Sequence, residues 1–301
     1  MSWQNFLIST VIRIQKKSTM KLKPEHRFNR LRKLMAMDTG GARQPVTCKA
    51  DTIEGVPVEW ILPEGTDSNP NASVCVYYHG GAFFMGGMNS HRQMCAYLAM
   101  AANIQVVMVD YRLAPEHPFP AATDDAATVY SALIAAGYAS NKMVLAGDSA
   151  GGNIVLRTLQ KLRDEDSPHP AAAVLFSPWL DLSHASDSFT NNARMDVLLN
   201  KTLLDEAVAM YAPELPLDDP KISPLFGSLA DLPPVLIIAS RSEVLLDDAT
   251  RLHTNIRTQG GDSSYLEWEK TPHAFPAMSR FLPEAREALD RSASFIAQHL
   301  A

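Results

Sequence analysis

What the chain lacks narrows the choices first. It has three cysteines, Cys48, Cys75 and Cys95, in 301 residues. Three is an odd number, and their spacing matches no metal-binding motif. A disulfide scaffold does not suit a chain of this size, and Cys75, inside the apolar run SVCVYY, reads as a buried reduced thiol. A reducing cytoplasm is the expected compartment. There is no apolar run long enough to span a bilayer, and no internal repeat, low-complexity tract or flexible linker. Lys and Arg number 27 against 33 Asp and Glu, a net charge of −6. No basic stripe appears, so nucleic acid is not an expected partner.

What is present fits one large globular domain. Hydrophobic residues make up 46% and charged residues 20%, enough apolar material for a sizeable core. The first residues, MSWQNFLISTVIRIQKK, do not read as a secretory leader. Their lysines follow the apolar stretch, and Gln4, Asn5, Ser9, Thr10 and Arg13 interrupt it. Trp3, Phe6, Leu7, Val11 and Ile14 recur at helical spacing. The expected element is an amphipathic helix docked on the body. Binding to a membrane surface is the rival reading, and no stable membrane insertion is expected.

Residues 1–45 read as helical and then loose, ending in DTGGARQP. Strands are predicted at 46–53, 57–62, 73–79, 104–110, 142–147, 172–177, 235–240 and 264–270. VVMVD, MVLAG, AVLFS and VLIIA are continuous apolar runs, as parallel strands buried on both faces require. Helices are predicted at 90–102, 121–136, 150–163, 247–259 and 282–299. This alternation implies a mostly parallel sheet covered on both sides, with the first two or three strands as an antiparallel edge. Residues 181–230 break the rhythm. Leu198, Leu203, Leu204, Val208 and Met210 suggest helices there, and so long an insertion often serves as a lid.

The central chemical signal is Gly147-Asp148-Ser149-Ala150-Gly151-Gly152, between the strand KMVLA and the helix NIVLRTLQKLR. A serine hydroxyl becomes a useful nucleophile when a sharp strand-to-helix turn exposes it beside a base. The helix opening at Ala150 aims N–H groups at the site, where they favour developing negative charge. A glycine-rich turn with an incidental serine would be the bland alternative, but it does not explain the strand and helix on either side. The second signal is His79-Gly80-Gly81-Ala82-Phe83, directly after VCVYY. Alone it reads equally as a turn. Beside the serine turn it reads as a source of preorganised donors for an oxyanion.

Sites on this turn order their residues serine, acid, histidine. Of the histidines downstream, His169 and His184 come too early, His253 sits mid-helix and His299 ends the last helix. His273, in Thr271-Pro272-His273-Ala274-Phe275, follows the last strand, where loops at strand carboxyl ends build sites. The acid should follow VLIIAS. Glu243 lies nearest the strand end; Asp247 and Asp248 lie where they could start and cap the next helix.

The chain resembles the bacterial branch of the hormone-sensitive-lipase family of carboxylesterases. The likeness runs from about residue 73 to the end. It rests on HGGAF at 79–83, DYRLAPEHPFPAA at 110–122, GDSAGGN at 147–153, SPWLDL at 177–182 and TPHAFP at 271–276. The resemblance implies an α/β-hydrolase fold: a mostly parallel central sheet of about eight strands, flanking helices and a helical cap. Residues 1–45 would be the N-terminal cap segment and 46–301 the catalytic domain, with 181–230 inserted as the rest of the cap.

It also implies hydrolysis of short- to medium-chain acyl esters, small molecules, through an acyl-enzyme and with neither cofactor nor metal. The oxyanion donors would be the N–H groups of Gly81, Ala82 and Ala150, with Gly80 shaping the loop. A homodimer is compatible with this reading. There are two departures from the family pattern. The usual fourth glycine of the HGGG loop is Ala82. The usual D-P-L-x-D stretch puts Glu243 where the triad aspartate stands and Asp247 at the second acidic position. Position favours Glu243 as the acid. His117 and Glu116 are expected to brace loops.

Two other functions compete with this reading. A receptor on a dead hydrolase fold would lack the histidine, whereas Ser149, an acid and His273 are all present here. Amide or N-formyl hydrolysis, or deacetylation of a sugar, could use the same residues.

Overall fold

The computed structural model describes residues 1–37 and 41–300; part of the loose DTGGARQP stretch lies outside them. Eight strands form one sheet in the order β1-β2-β4-β3-β5-β6-β7-β8. They are β1 (Val46–Ile53), β2 (Val56–Pro63), β3 (Val74–Tyr78), β4 (Gln105–Val109), β5 (Met143–Asp148), β6 (Ala172–Phe176), β7 (Val235–Ser240) and β8 (Ser263–Trp268). The helices are α1 (Trp3–Met20), α2 (Pro24–Ala36), α3 (Met88–Ala102), α4 (Ala121–Ala135), α5 (Ala150–Asp164), α6 (Ser188–Asn191), α7 (Lys201–Tyr211), α8 (Leu246–Thr258) and α9 (Pro283–His299). The predicted elements are all present, with ends displaced by one or two residues.

The antiparallel edge consists of the first two strands, the lower of the two counts expected. β1 pairs with β2, and β2 pairs antiparallel with β4. β3 instead lies inside the sheet, parallel to both β4 and β5. Its sequence explains the placement. All five residues of VCVYY are buried, whereas β1 is largely exposed. Alternate residues of each central strand face opposite sides. Val74, Val76, Tyr78 and Leu145 join one core layer; Cys75, Tyr77, Val144 and Ala146 join the other. The Cys75 thiol is buried and pushed up to about 12 by that burial.

The 181–230 insertion holds α6 and α7. Leu203, Leu204, Ala207, Val208 and Tyr211 of α7 are buried in the first core layer. Leu198 precedes that helix rather than belonging to it. The N-terminal segment joins the same region. Arg27 of α2 donates to Glu206 of α7 at 2.5 and 2.6 Å, and Phe28 meets Phe84 edge-on at 5.0 Å. Arg32 donates to the carbonyls of Phe84 and Ala114 at 2.7 and 2.6 Å and to both oxygens of Glu116. Glu116 thus braces a loop, as expected.

Helix α1 docks on the body, but not by its apolar stripe. Its buried residues are Asn5 and Thr19, while Trp3, Phe6, Leu7, Val11 and Ile14 are exposed. The surfaces it meets explain this. Asn5 Nδ2 donates to the Lys270 carbonyl at 3.2 Å, and Lys16 Nζ donates to the carbonyls of Asp196 and Leu199. Ser2 donates to Glu284 through both N–H and Oγ. These neighbours are acceptors, so the face bearing Asn5 and Lys16 turns inward, with Ile8 packed against the second core layer, and the stripe of Trp3, Phe6, Leu7, Val11 and Ile14 is left outside.

Candidate active site

The loops after β3, β5, β6, β7 and β8 all leave the sheet at its carboxyl edge, and the predicted site residues lie on four of them. Ser149 follows β5 with φ 53° and ψ −118°, a conformation that non-glycine residues rarely adopt. Holding it costs on the order of 1–3 kcal/mol, which the surrounding contacts must offset. Ser149 N–H donates to the Phe176 carbonyl at 2.9 Å, and its own carbonyl accepts from Trp179 N–H at 3.1 Å. A side chain at Gly151 would strike the Tyr78 carbonyl, so the turn can close only with glycine there.

Among the described residues, the N–H groups of Gly81, Ala82 and Ala150 meet no protein acceptor. The Gly80 N–H is taken, donating to Asp148 Oδ1 at 2.8 Å, which suits a loop-shaping part and not a donor's. Ala82 has φ 52°, inside the small left-handed region open to a residue with Cβ. The departure from glycine therefore leaves its N–H in place.

His273 is buried, and its Nδ1–H donates to Glu243 Oε2 at 2.6 Å. Glu243 is fully buried, and its other oxygen, Oε1, accepts the Ser240 N–H at 2.8 Å. Among the described residues no hydrogen bond joins Asp247 or Asp248 to His273. Both stand in the first turn of α8, yet they do not cap it. Asp247 accepts the Ser188 N–H at 2.8 Å, and Asp248 Oδ2 accepts the N–H groups of Leu180 and Asp181 at 2.7 and 2.9 Å. Both carboxylates turn away from their own helix toward the insertion, where backbone donors would otherwise be buried unpaired. Burial pushes Asp248 up to about 7, against those two hydrogen bonds.

Burial also works to lower His273. The hydrogen bond and charge of Glu243, with the charges of Asp196 and Asp148, outweigh it, so His273 stands above its ordinary 6.5. Ser177 joins the histidine loop to the serine turn: it follows Phe176 and its Oγ accepts the Ala274 N–H at 3.1 Å. Among the described residues no hydrogen bond joins Ser149 Oγ to His273. Such contacts are often long before substrate binds and tighten in its complex.

Several supporting residues gave no sign in the sequence. Buried Asp196 accepts the Val244 N–H at 2.9 Å, and Asn192 Nδ2 donates to the Glu243 carbonyl at 2.8 Å, so the insertion holds the Glu243 loop. Ser240 and Ser242 donate to the Thr271 carbonyl at 2.6 and 3.1 Å, tying that loop to the histidine's. Beneath HGGAF lies a buried polar knot. Asp148 accepts from Tyr77 Oη at 2.7 Å, His91 Nε2 stands 3.1 Å from its Oδ1, and Tyr111 Oη donates to the His79 carbonyl at 2.6 Å. Burial opposes the Asp148 charge, but His91, Tyr77 and Gly80 hold it down to about 2. Only Asp148 could have been suspected in advance, from its place beside Ser149. Among the described residues no group of three or more His, Cys, Asp or Glu is placed to hold a metal ion.

Comparison with known proteins fits this geometry. Residues 75–277 match the model of a family described as having the alpha/beta hydrolase fold. An acetyl-hydrolase of Streptomyces hygroscopicus is 36% identical over 245 residues, 81% of each chain. An esterase of Acinetobacter venetianus is 34% identical over 248 residues, 81% of this chain and 82% of its own. A solved esterase of the bacterial hormone-sensitive lipase family superposes with a TM-score of 0.92 at 34% identity, covering 100% of this chain and 99% of that one. This chain therefore belongs to the α/β-hydrolase family, as a carboxylic ester hydrolase of the bacterial hormone-sensitive-lipase type.

Proposed function

We propose that the chain hydrolyses short- to medium-chain acyl esters through an acyl-enzyme on Ser149, with His273 as general base and Glu243 as its acid. The observation that carries this is the buried 2.6 Å bond from His273 to Glu243, on loops at the same sheet edge as the strained turn of Ser149. Nδ1–H bound to a carboxylate leaves Nε2 as the proton acceptor. Ser149 Oγ would attack the ester carbonyl carbon while Nε2 takes its proton. The carbonyl oxygen, now negative, would be met by the N–H groups of Gly81, Ala82 and Ala150. Collapse expels the alkoxide, which leaves as alcohol with the proton from His273. Water then attacks the acyl-Ser149 ester by the same steps, His273 taking its proton and returning it to Oγ, and the carboxylic acid departs.

Residues 1–45 and 181–230 are proposed to form the cap, over a catalytic domain spanning 46–301. Lys16 and Arg27 tie the two cap parts together, and Asn192 and Asp196 of the insertion reach the acid's loop. The name of the Streptomyces hygroscopicus relative, an acetyl-hydrolase, favours short acyl groups. Labelling with an organophosphonate, followed by peptide mass analysis, should place the adduct on Ser149. Ser149→Ala should abolish the adduct and lower kcat by about 10⁶-fold. Rates on a p-nitrophenyl ester series should peak at short to medium chains and fall for long ones. Near-normal turnover by Ser149→Ala would overturn the mechanism, and emulsified long-chain triglyceride as best substrate would overturn the chain-length reading.

A further inference from the structure

The outward face of α1 is the least expected surface of the molecule. Trp3, Phe6, Leu7, Val11 and Ile14 are between 46% and 73% exposed. At 100° per residue they share one arc of about 140°. Single exposed apolar residues are ordinary, but five on one face of one helix, two of them aromatic, form a patch. The helix adds Arg13, Lys16 and Lys17, and Lys21 and Lys23 follow it, with no acidic residue before Glu25. Arg13, Lys17, Lys21 and Lys23 are exposed. The imbalance extends through α2. Residues 1–37 hold nine Lys and Arg against one Glu, while the remaining chain holds 18 against 32 Asp and Glu. A surface hollow on α2, lined by His26, Asn29, Arg30, Lys33, Leu34 and Met37, repeats the mix of cations and apolar side chains.

We infer that the N-terminal segment is a docking element for an anionic lipid surface, with α1 lying in the interface plane. A helix with Trp, Phe and aliphatic residues on one face and Lys and Arg beside them suits that position. The apolar arc enters the acyl boundary and the cations meet headgroup phosphates. The overall negative charge of the chain would repel such a surface, so an orienting cationic end is what docking requires. A second copy fits less well. A two-fold contact would set each patch on itself and bring both sets of cations together. The stripe is also only roughly a few hundred Å², against about 800 Å² per partner in a standard interface. The inner face of α1 is fixed to Lys270, three residues before His273. Docking would therefore place the candidate site close to the lipid surface.

The test is flotation of the full chain with vesicles of phosphatidylcholine alone or mixed with phosphatidylglycerol. The chain should float with the mixed vesicles at low salt, far less with phosphatidylcholine, and less as salt rises. Trp3 emission should shift to the blue on binding, and Trp3→Phe should remove that shift. The pair Phe6→Ser with Val11→Ser, and the pair Arg13→Glu with Lys17→Glu, should each lower partitioning by about tenfold or more. These side chains face solvent, so the unfolding midpoints should hold, and Trp3→Phe gives an independent reading if one does not. Equal binding to both vesicles, or binding that neither pair weakens, would overturn the inference. So would a dimer in solution that Phe6→Ser with Val11→Ser dissociates, without vesicle binding, since that would assign the stripe to a second copy.

Discussion

Glu243→Gln is the substitution on which the proposed mechanism turns. Each oxygen of Glu243 has a donor facing it: Oε1 accepts the Ser240 N–H at 2.8 Å, and Oε2 accepts His273 Nδ1–H at 2.6 Å. Glutamine offers one acceptor and one donor in the same space. If its oxygen keeps Ser240, its NH₂ faces Nδ1 and forces the proton to Nε2, the tautomer that cannot take a proton from Ser149. If the amide turns over, two donors face each other at Ser240. That leaves a buried N–H unpaired, at about 1–3 kcal/mol. Either way the imidazolium formed in the reaction loses its buried counter-charge. Removing the acid's charge in a comparable triad drops kcat by about 10⁴-fold, close to 5.5 kcal/mol of barrier. We expect the same order here, measured as kcat on a short-chain p-nitrophenyl ester, with the unfolding midpoint recorded alongside. Asp247→Asn, as control, should leave turnover within a fewfold, because Asp247 is bonded to Ser188. Turnover of Glu243→Gln within tenfold of the parent, or loss of turnover in Asp247→Asn, would refute the assignment.

Two further predictions concern protons. His273 must be neutral to act as base, and it stands above its ordinary 6.5, so kcat/KM on a neutral ester should rise with pH through a midpoint above 6.5 and then level; a flat profile between pH 5 and 9 would exclude a histidine base. Asp248 stands near 7 when folded, against about 3.9 when unfolded, so the native state binds the extra proton between those values. Its contribution to stability should therefore fall as pH rises from about 4 to 7 and then stay level. Asp248→Asn, keeping its oxygen on Leu180 and Asp181, should flatten that fall in denaturant titrations at several pH values, and an unchanged fall would refute the account.

What the sequence revealed and what it hid follow one physical line. Elements whose burial is settled by their own residues could be read directly. VCVYY and VLIIAS are buried on both faces, and their strands fall where expected. The places of Ser149, Gly80, Gly81 and His273 at strand ends were legible because each sits in a motif with a steric or chemical demand of its own. Glu243 was favoured over Asp247 by its distance from a strand end, and the structure places its carboxylate on His273 Nδ1. The capping role read for Asp247 and Asp248 was misjudged in kind. Asp247 and Asp248 bond backbone donors at 188 and at 180–181, about sixty residues away in sequence, and no local pattern announces such a partner. The same holds for Asp196 and Asn192, which hold the Glu243 loop from within the insertion.

Helix α1 is the sharpest case. Periodicity located its apolar stripe correctly, and the rule that such a stripe faces the core pointed it the wrong way. Periodicity states only that two faces differ. Which face turns inward depends on what the body presents, and here the body presents the carbonyls of Asp196, Leu199 and Lys270 and the carboxylate of Glu284. Meeting those acceptors with donors avoids about 1–3 kcal/mol for each that would otherwise be buried unpaired, the same order as the burial that each exposed apolar side chain forgoes. An apolar face left outside for that reason is available to a second apolar phase, which is the physical basis for seeking a lipid surface there.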